Sequence, residues 1–349
     1  MVALEAPPER FSRRADFHVP PTLRAGDRMR VVSPSFCELG INTRRRDRAV
    51  AAFESVGLEL VFSERATLVN GHVAGTVAQR ADDINESFAD PDVHAVICAV
   101  GGGNSADLLP LLDLDVIAAN PKPFMGHSDN GSLLLGVFAA TGLVTFHGTA
   151  AMKLGEYPEP FPEMVEQFRD VVMEQRVDRF EPIGSRCGEP LSWFREPRRP
   201  PTRQRRIAGG WQWARPGRAT GPLIGGTLPT LANLAGTEWF PDLDEFILFT
   251  DGHFIDTVYM DASFSILQRC GILERCTGLV LGEPKAVVTL PGAACYDEVV
   301  AKWVRHIDGP VLTGADCGDT DPSWILPIGV TATLDSESDR LEIDWTSPR

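Results

Sequence analysis

No two cysteines in this sequence form a CxxC pair, although seven are present: Cys37, Cys98, Cys187, Cys270, Cys276, Cys295 and Cys317. Zinc sites and redox dithiols depend on such short spacings, so neither a metal nor a redox role is expected. Cys98 lies inside the apolar run HAVICAV, where a small core residue belongs. Seven unbridged thiols fit a reducing compartment. The chain also lacks any run of ~18 apolar residues, the length that a membrane span needs. Its start, MVALEAPPERFSRRADFHVPP, has no apolar h-region, so no secretory signal is expected. Positive charge is in deficit: 33 Lys and Arg stand against 48 Asp and Glu, a net charge of −15. Nucleic acids and anionic membranes demand concentrated positive charge, so neither is an expected partner. A cytoplasmic protein is the expectation.

What is present is an ordinary globular composition, 43% hydrophobic and 23% charged. At about 150 residues per domain, 349 residues predict two domains. The Pro- and Arg-rich start reads as an arm over 1–25. Apolar strands then alternate with helical stretches over 26–152, the signature of a parallel sheet covered on both faces. Strands are expected at 28–33, 58–62, 94–100, 123–126 and 143–147. Helices are expected at 42–55, 76–88, over ADLLPLL and at 129–141. The segment 153–220 does not read as regular structure, apart from a helix candidate at 162–175. It carries six Arg and one Glu between Arg195 and Arg206, either a solvated crossing between domains or a basic lip for an anionic ligand. Trp211 and Trp213 offer flat stacking surfaces beside it. A second domain follows over 221–349. It opens on a strand and a helix from Leu228, continues through alternating elements and ends in a hairpin, VTATLDSESDRLEIDW.

Two constellations carry chemistry. In GHSDNG, Gly126–Gly131, a strand ends, Ser128 takes the turn and a helix begins at once. That is the layout of a nucleophile elbow, which lifts a hydroxyl above the C-terminal edge of a sheet, with the next amide aimed at a developing oxyanion. The GxSxG form would need Gly at 130, where Asn130 stands, and Ser128 and Asp129 can equally serve as helix caps. In VGGGNS, Val100–Ser105, glycines between a strand and a helix let another group approach the backbone closely. The sequence is neither GxGxxG nor a P-loop, so no dinucleotide or phosphate cofactor is expected.

The stretch from AVICAVGGGNS through GHSDNG to TFHG resembles the LD-carboxypeptidase family of serine peptidases, and its GGxNS form resembles the microcin C immunity branch. GPLIGGTLPTLANLAGT and the ending GDTDPSWILPIG are similar to the family's second domain. The resemblance implies an α/β fold: a Rossmann-like parallel-sheet N-terminal domain carrying the nucleophile, plus a C-terminal swivelling β-barrel-like α/β domain carrying a Glu and a His. It implies a site where the domains meet, a small peptide-like or aminoacyl substrate, and a homodimer. By position, Ser128 matches the nucleophile, and the amides of Gly102 and Asp129 match the oxyanion donors. Gly101, Gly103, Asn104, His127, Trp211, Trp213 and His253 are the expected substrate contacts.

The other two triad members depart from the pattern. Asp251 ends the strand that carries Glu in the family, and Asp319 stands in the GDTDP loop where the family has its general-base His. A histidine of pKa ~6.5 takes and returns a proton near neutrality, whereas a carboxylate of pKa ~4 does so poorly. Two adjacent carboxylates share a proton and raise one pKa. Three readings follow: a serine hydrolase using an Asp pair, as sedolisin-type peptidases use Glu and Asp at acid pH; a fold recruited to another, acyl-transfer reaction; or a pseudoenzyme that binds without turnover. His127 and His253 are alternative bases, and His147 is expected to brace the sheet edge.

Overall fold

The computed structural model describes residues 17–155, 160–187, 206–207, 210–252, 254–284, 286–318 and 321–346, with 206–207 and 254–255 as backbone alone. The first domain runs β1 (Arg28–Val32), α1 (Glu38–Ile41), α2 (Thr43–Ser55), β2 (Glu59–Phe62), α3 (Val77–Ala89), β3 (Ala95–Cys98), α4 (Leu114–Ala119), β4 (Phe124–Gly126), α5 (Gly131–Thr141) and β5 (Thr145–His147). Side chains fix several starts. Asn42 accepts from the Arg45 amide to cap α2, and Thr76 and Gln79 form a reciprocal capping box on α3. The five strands are parallel in the order β2-β1-β3-β4-β5. The order reverses between β1 and β3, so the loops after those strands flank a crevice at the sheet's C-terminal edge.

After α6 (Ala151–Leu154) and α7 (Pro162–Gln167) come short strands β6 (Arg179–Phe180), β7 (Ser185–Arg186) and β8 (Arg206–Ile207). The second sheet then adds β9 (Gln212–Arg215) and β10 (Arg218–Thr227), followed by α8 (Leu228–Leu234) and β11 (Phe246–Asp251). The chain continues through β12 (Phe254–Asp256), α9 (Thr257–Arg269), β13 (Cys276–Gly282), β14 (Ala286–Val288), α10 (Tyr296–Val304) and β15 (Val311–Ala315). It closes with β16 (Leu326–Ile328), β17 (Thr331–Asp335) and β18 (Arg340–Asp344). Eight strands form a curled half-barrel in the order β6-β18-β17-β10-β11-β13-β15-β9. Its centre, β10-β11-β13-β15, is parallel.

Several expected elements shift. The ADLLPLL helix is a 3-10 helix, Ser105–Leu111, with Pro110 inside it. The helix expected at 129–141 starts as a 3-10 turn, Ser128–Asn130, before α5. The helix expected at 162–175 is α7 followed by a π-type turn, Phe168–Met173. The second sheet begins before Gly221, since β10 starts at Arg218. β16, expected in the second domain's chain, joins the first sheet antiparallel to β5. One continuous apolar core therefore runs through both sheets, from Met29 and Phe124 to Phe249 and Leu326. The basic stretch from Arg195 to Arg205 lies outside the described residues.

Candidate active site

The turn after β4 is strained at one residue. Ser128 has φ +56°, left-handed backbone that a non-glycine residue adopts only when its surroundings impose it. Ser128 caps nothing: neither the 3-10 turn nor α5 receives a side-chain cap bond. The residue is half-buried, whereas its neighbours His127, Asp129 and Asn130 are buried. Asn130, in the orientation that satisfies both acceptors, donates to the carbonyls of His127 (3.2 Å) and Val100 (3.1 Å). An Asn in place of the GxSxG glycine thus ties the elbow to the end of β3.

The GGGNS loop is locked against that elbow. A Cβ at Gly101 would lie 2.8 Å from Ser128 Cβ and 3.2 Å from its Oγ, and one at Gly102 would meet Ser35 Oγ at 1.9 Å. Only glycine permits these approaches. The Asp129 carboxylate accepts from the amides of Asn104 (3.1 Å) and Ser105 (2.9 Å), and Ser105 Oγ donates to Asp129 O. It therefore caps the neighbouring 3-10 helix and not its own. Ser35, on the loop after β1, accepts from the Gly103 amide and donates to Asn104 Oδ1. Arg80 Nη1 reaches the same Asn104 oxygen at 3.3 Å, and burial pulls the Arg80 pKa down. Ser35 and Arg80 had no signal in the sequence beyond being polar residues in otherwise apolar surroundings.

Asp251, at the end of β11, is buried and lies 3.0 Å from His147 Nε2 at the end of β5. His147 pairs in register with Gly126, two residues before the serine. His147, expected to brace the sheet edge, meets Asp251 across the two sheets, the residue expected to stand in the family's Glu position. His147 Nδ1 has no hydrogen-bond partner among the described residues. Gly252 bridges to Gly318, and a Cβ at Gly318 would lie 2.7 Å from Asp251 Oδ1. The loop that carries position 319 thus leaves directly from Asp251. Asp319 and His253 themselves lie outside the described residues. Burial, reinforced by the negative charges of Asp251 and Asp316, pushes the Cys317 thiol well up, so it stays protonated.

Trp211 packs edge-on to Trp324 with ring centroids 5.1 Å apart and donates to Asp316 Oδ2, while Trp213 donates to Asp339. Asp316 is also held by Arg186 Nε at 2.6 Å. Trp211 is thus built into the base of the loop that carries position 319. No group of three or more His, Cys, Asp or Glu among the described residues could hold a metal ion.

Residues 29–148 match the LD-carboxypeptidase N-terminal domain, and residues 220–334 match the LD-carboxypeptidase C-terminal domain. The chain belongs to the LD-carboxypeptidase family. The microcin C7 self-immunity protein MccF of Escherichia coli is 29% identical over 92% of this chain and 94% of its own. A structure of MccF in complex with glutamyl sulfamoyl guanosine superposes with a TM-score of 0.85 at 28% identity, covering 93% of this chain and 97% of that one. The murein tetrapeptide carboxypeptidase of Pseudomonas aeruginosa is 34% identical over 48% of this chain and 47% of its own. The two-sheet architecture is the one shared with MccF.

Proposed function

We propose that this LD-carboxypeptidase homologue is a serine hydrolase that cleaves an amide next to a carboxyl or aminoacyl group of a small peptide-like substrate. The observation that carries the reading is the backbone of Ser128: φ +56° at the C-terminal edge of a parallel sheet, with Gly101 pressed against its side chain. Strain of about 1–3 kcal/mol persists only where the surrounding structure over-determines it, and it collects at reactive sites. MccF is solved with an aminoacyl sulfamoyl nucleoside and the Pseudomonas relative is named for a murein tetrapeptide, so both substrate kinds belong in the assay.

In this reading Ser128 Oγ attacks the carbonyl carbon, and the amides of Asp129 and Gly102 receive the oxyanion. Asp319 is assigned the role of taking the serine proton and returning it to the leaving nitrogen. Asp251, oriented by His147, shares a proton with Asp319. Water then hydrolyses the acyl-enzyme. Gly101, Gly103, Asn104, His127, Trp211, Trp213 and His253 keep the role of substrate contacts in this proposal.

A carboxylate pair holds one proton only between its two apparent pKa values. Above the upper one the charges repel and the acid that serves the amine is gone, so turnover falls by about tenfold per pH unit. The test is hydrolysis of LD-tetrapeptides and aminoacyl sulfamoyl nucleosides between pH 4 and 8. A bell centred on the acid side, abolished in Ser128→Ala, is the expected result. Tight binding of both ligands without product at any pH overturns hydrolysis in favour of a binding protein.

A further inference from the structure

Arg80, on α3, is buried, so its guanidinium is a charge taken out of water. Burial works against that charge, and the carboxylates of Asp107 and Asp129 work for it. Its Nη1 donates to the Pro34 carbonyl and, at 3.3 Å, to Asn104 Oδ1, while its buried Nε has no partner among the described residues. A buried guanidinium that leaves a donor unpaired is a poor stabiliser of a fold, so its place asks for another reason.

That reason lies in what its two partners hold. Pro34 leads into Ser35, whose Oγ accepts from the Gly103 amide and donates to Asn104 Oδ1, both at 3.1 Å. The Phe36 amide donates to the Gly101 carbonyl at 3.2 Å. Asn104 stands at the N-cap of the 3-10 helix Ser105–Leu111, yet its side chain caps nothing there. The Asp129 carboxylate takes that task from the elbow side, and the Asn104 oxygen turns to Ser35 and Arg80 instead. One nitrogen of Arg80 therefore joins the loop after β1 to the loop after β3. Three glycines in a row have no side chains of their own to fix them, so their order must come from such outside contacts.

We propose that Arg80 is a positioning residue that fixes the GGGNS loop, and with it the Gly102 amide, for the oxyanion of the Ser128 reaction. The inference rests on the hydrolase reading for its consequence, but the hydrogen bonds that carry it stand without that reading. An oxyanion donor works only where the charge develops, and a misplacement of about 1 Å costs about 10²-fold in rate.

The test uses the full chain with three variants. Arg80→Met removes the charge and the donors, Arg80→Lys keeps the charge on a single nitrogen, and Ser35→Ala is a smaller change to the same bonds. Hydrogen exchange followed by mass spectrometry reads the peptide over 99–106. Hydrolysis of LD-tetrapeptides and glutamyl sulfamoyl guanosine at the parent's pH optimum reads kcat and KM. In Arg80→Met, exchange over 99–106 rises at least about tenfold while β1 and β3 keep their protection. There kcat falls at least about tenfold and KM changes less than about threefold, because the oxyanion exists only beyond the ground state. Ser35→Ala moves both in the same direction by less, and Arg80→Lys recovers part of each. Unchanged exchange over 99–106, or protection lost throughout the first sheet in all three variants, overturns the proposal. So does a loss carried by KM alone. Where Arg80→Met does not fold, the two milder variants decide. If the parent turns over neither substrate, the hydrolase reading fails, while the exchange data still decide whether Arg80 fixes the loop.

Discussion

Gly101 has no room for a methyl group, because the side chain of Ser128 already fills the space a Cβ would take. Gly101→Ala must displace the serine or the oxyanion loop, and losing one such donor costs about 10²–10³ in rate. Acylation of Ser128 should fall at least tenfold with the fold intact by circular dichroism, and an unchanged rate would separate the loop from the chemistry. Asp129 is a second such residue. Its buried carboxylate holds two amides of the GGGNS loop, and bonds to a charged acceptor contribute about 1.5–3 kcal/mol each. Asp129→Ala should lower urea stability by roughly 2–4 kcal/mol. An effect below 0.5 kcal/mol would show that the bonds are replaced. The serine and the glycines were legible as a motif, because a strand–turn–helix with small residues has few physical meanings. The partner of Asp251 was not, since His147 is far from it in sequence and only the meeting of the two sheets brings them together.

Elements were read best where a local signal sets them. Thr76 and Gln79 mark the start of α3, and alternation marks the hairpin β17–β18, both as expected from the residues. Lengths were read less well: the helix that holds Pro110 is a 3-10 helix, and α4 hides behind Asp113, its cap. β16 was missed because three residues in WILPIG carry no period, and their pairing with β5 is decided by the other domain. Thr76→Ala removes one side of the capping box and should cost about 1 kcal/mol. A urea midpoint unchanged from the parent would mean that water replaces the cap without loss.

The two sheets are stitched by β16 and share one continuous core, so the molecule should unfold as a unit. A single calorimetric transition is expected, and Leu326→Ala, at a fully buried position, should lower its stability by about 2–5 kcal/mol without splitting it. Two separated transitions would contradict the stitching. The proposed hydrolysis needs the same meeting of domains, with Ser128 at the edge of one sheet and Asp251 at the end of a strand of the other. The most direct measurement of that claim is the rate at which a fluorophosphonate phosphonylates Ser128, with loss of fluoride, at pH 7.5, followed by intact mass, in the parent and in Asp319→His. A positioned histidine base contributes about 10²–10⁴-fold, and the shorter Asp251 holds it imperfectly. The account predicts slow labelling in the parent and a rise of at least tenfold in Asp319→His, lost again when Ser128→Ala is added. Fast labelling of the parent, or no rise in Asp319→His, would contradict it.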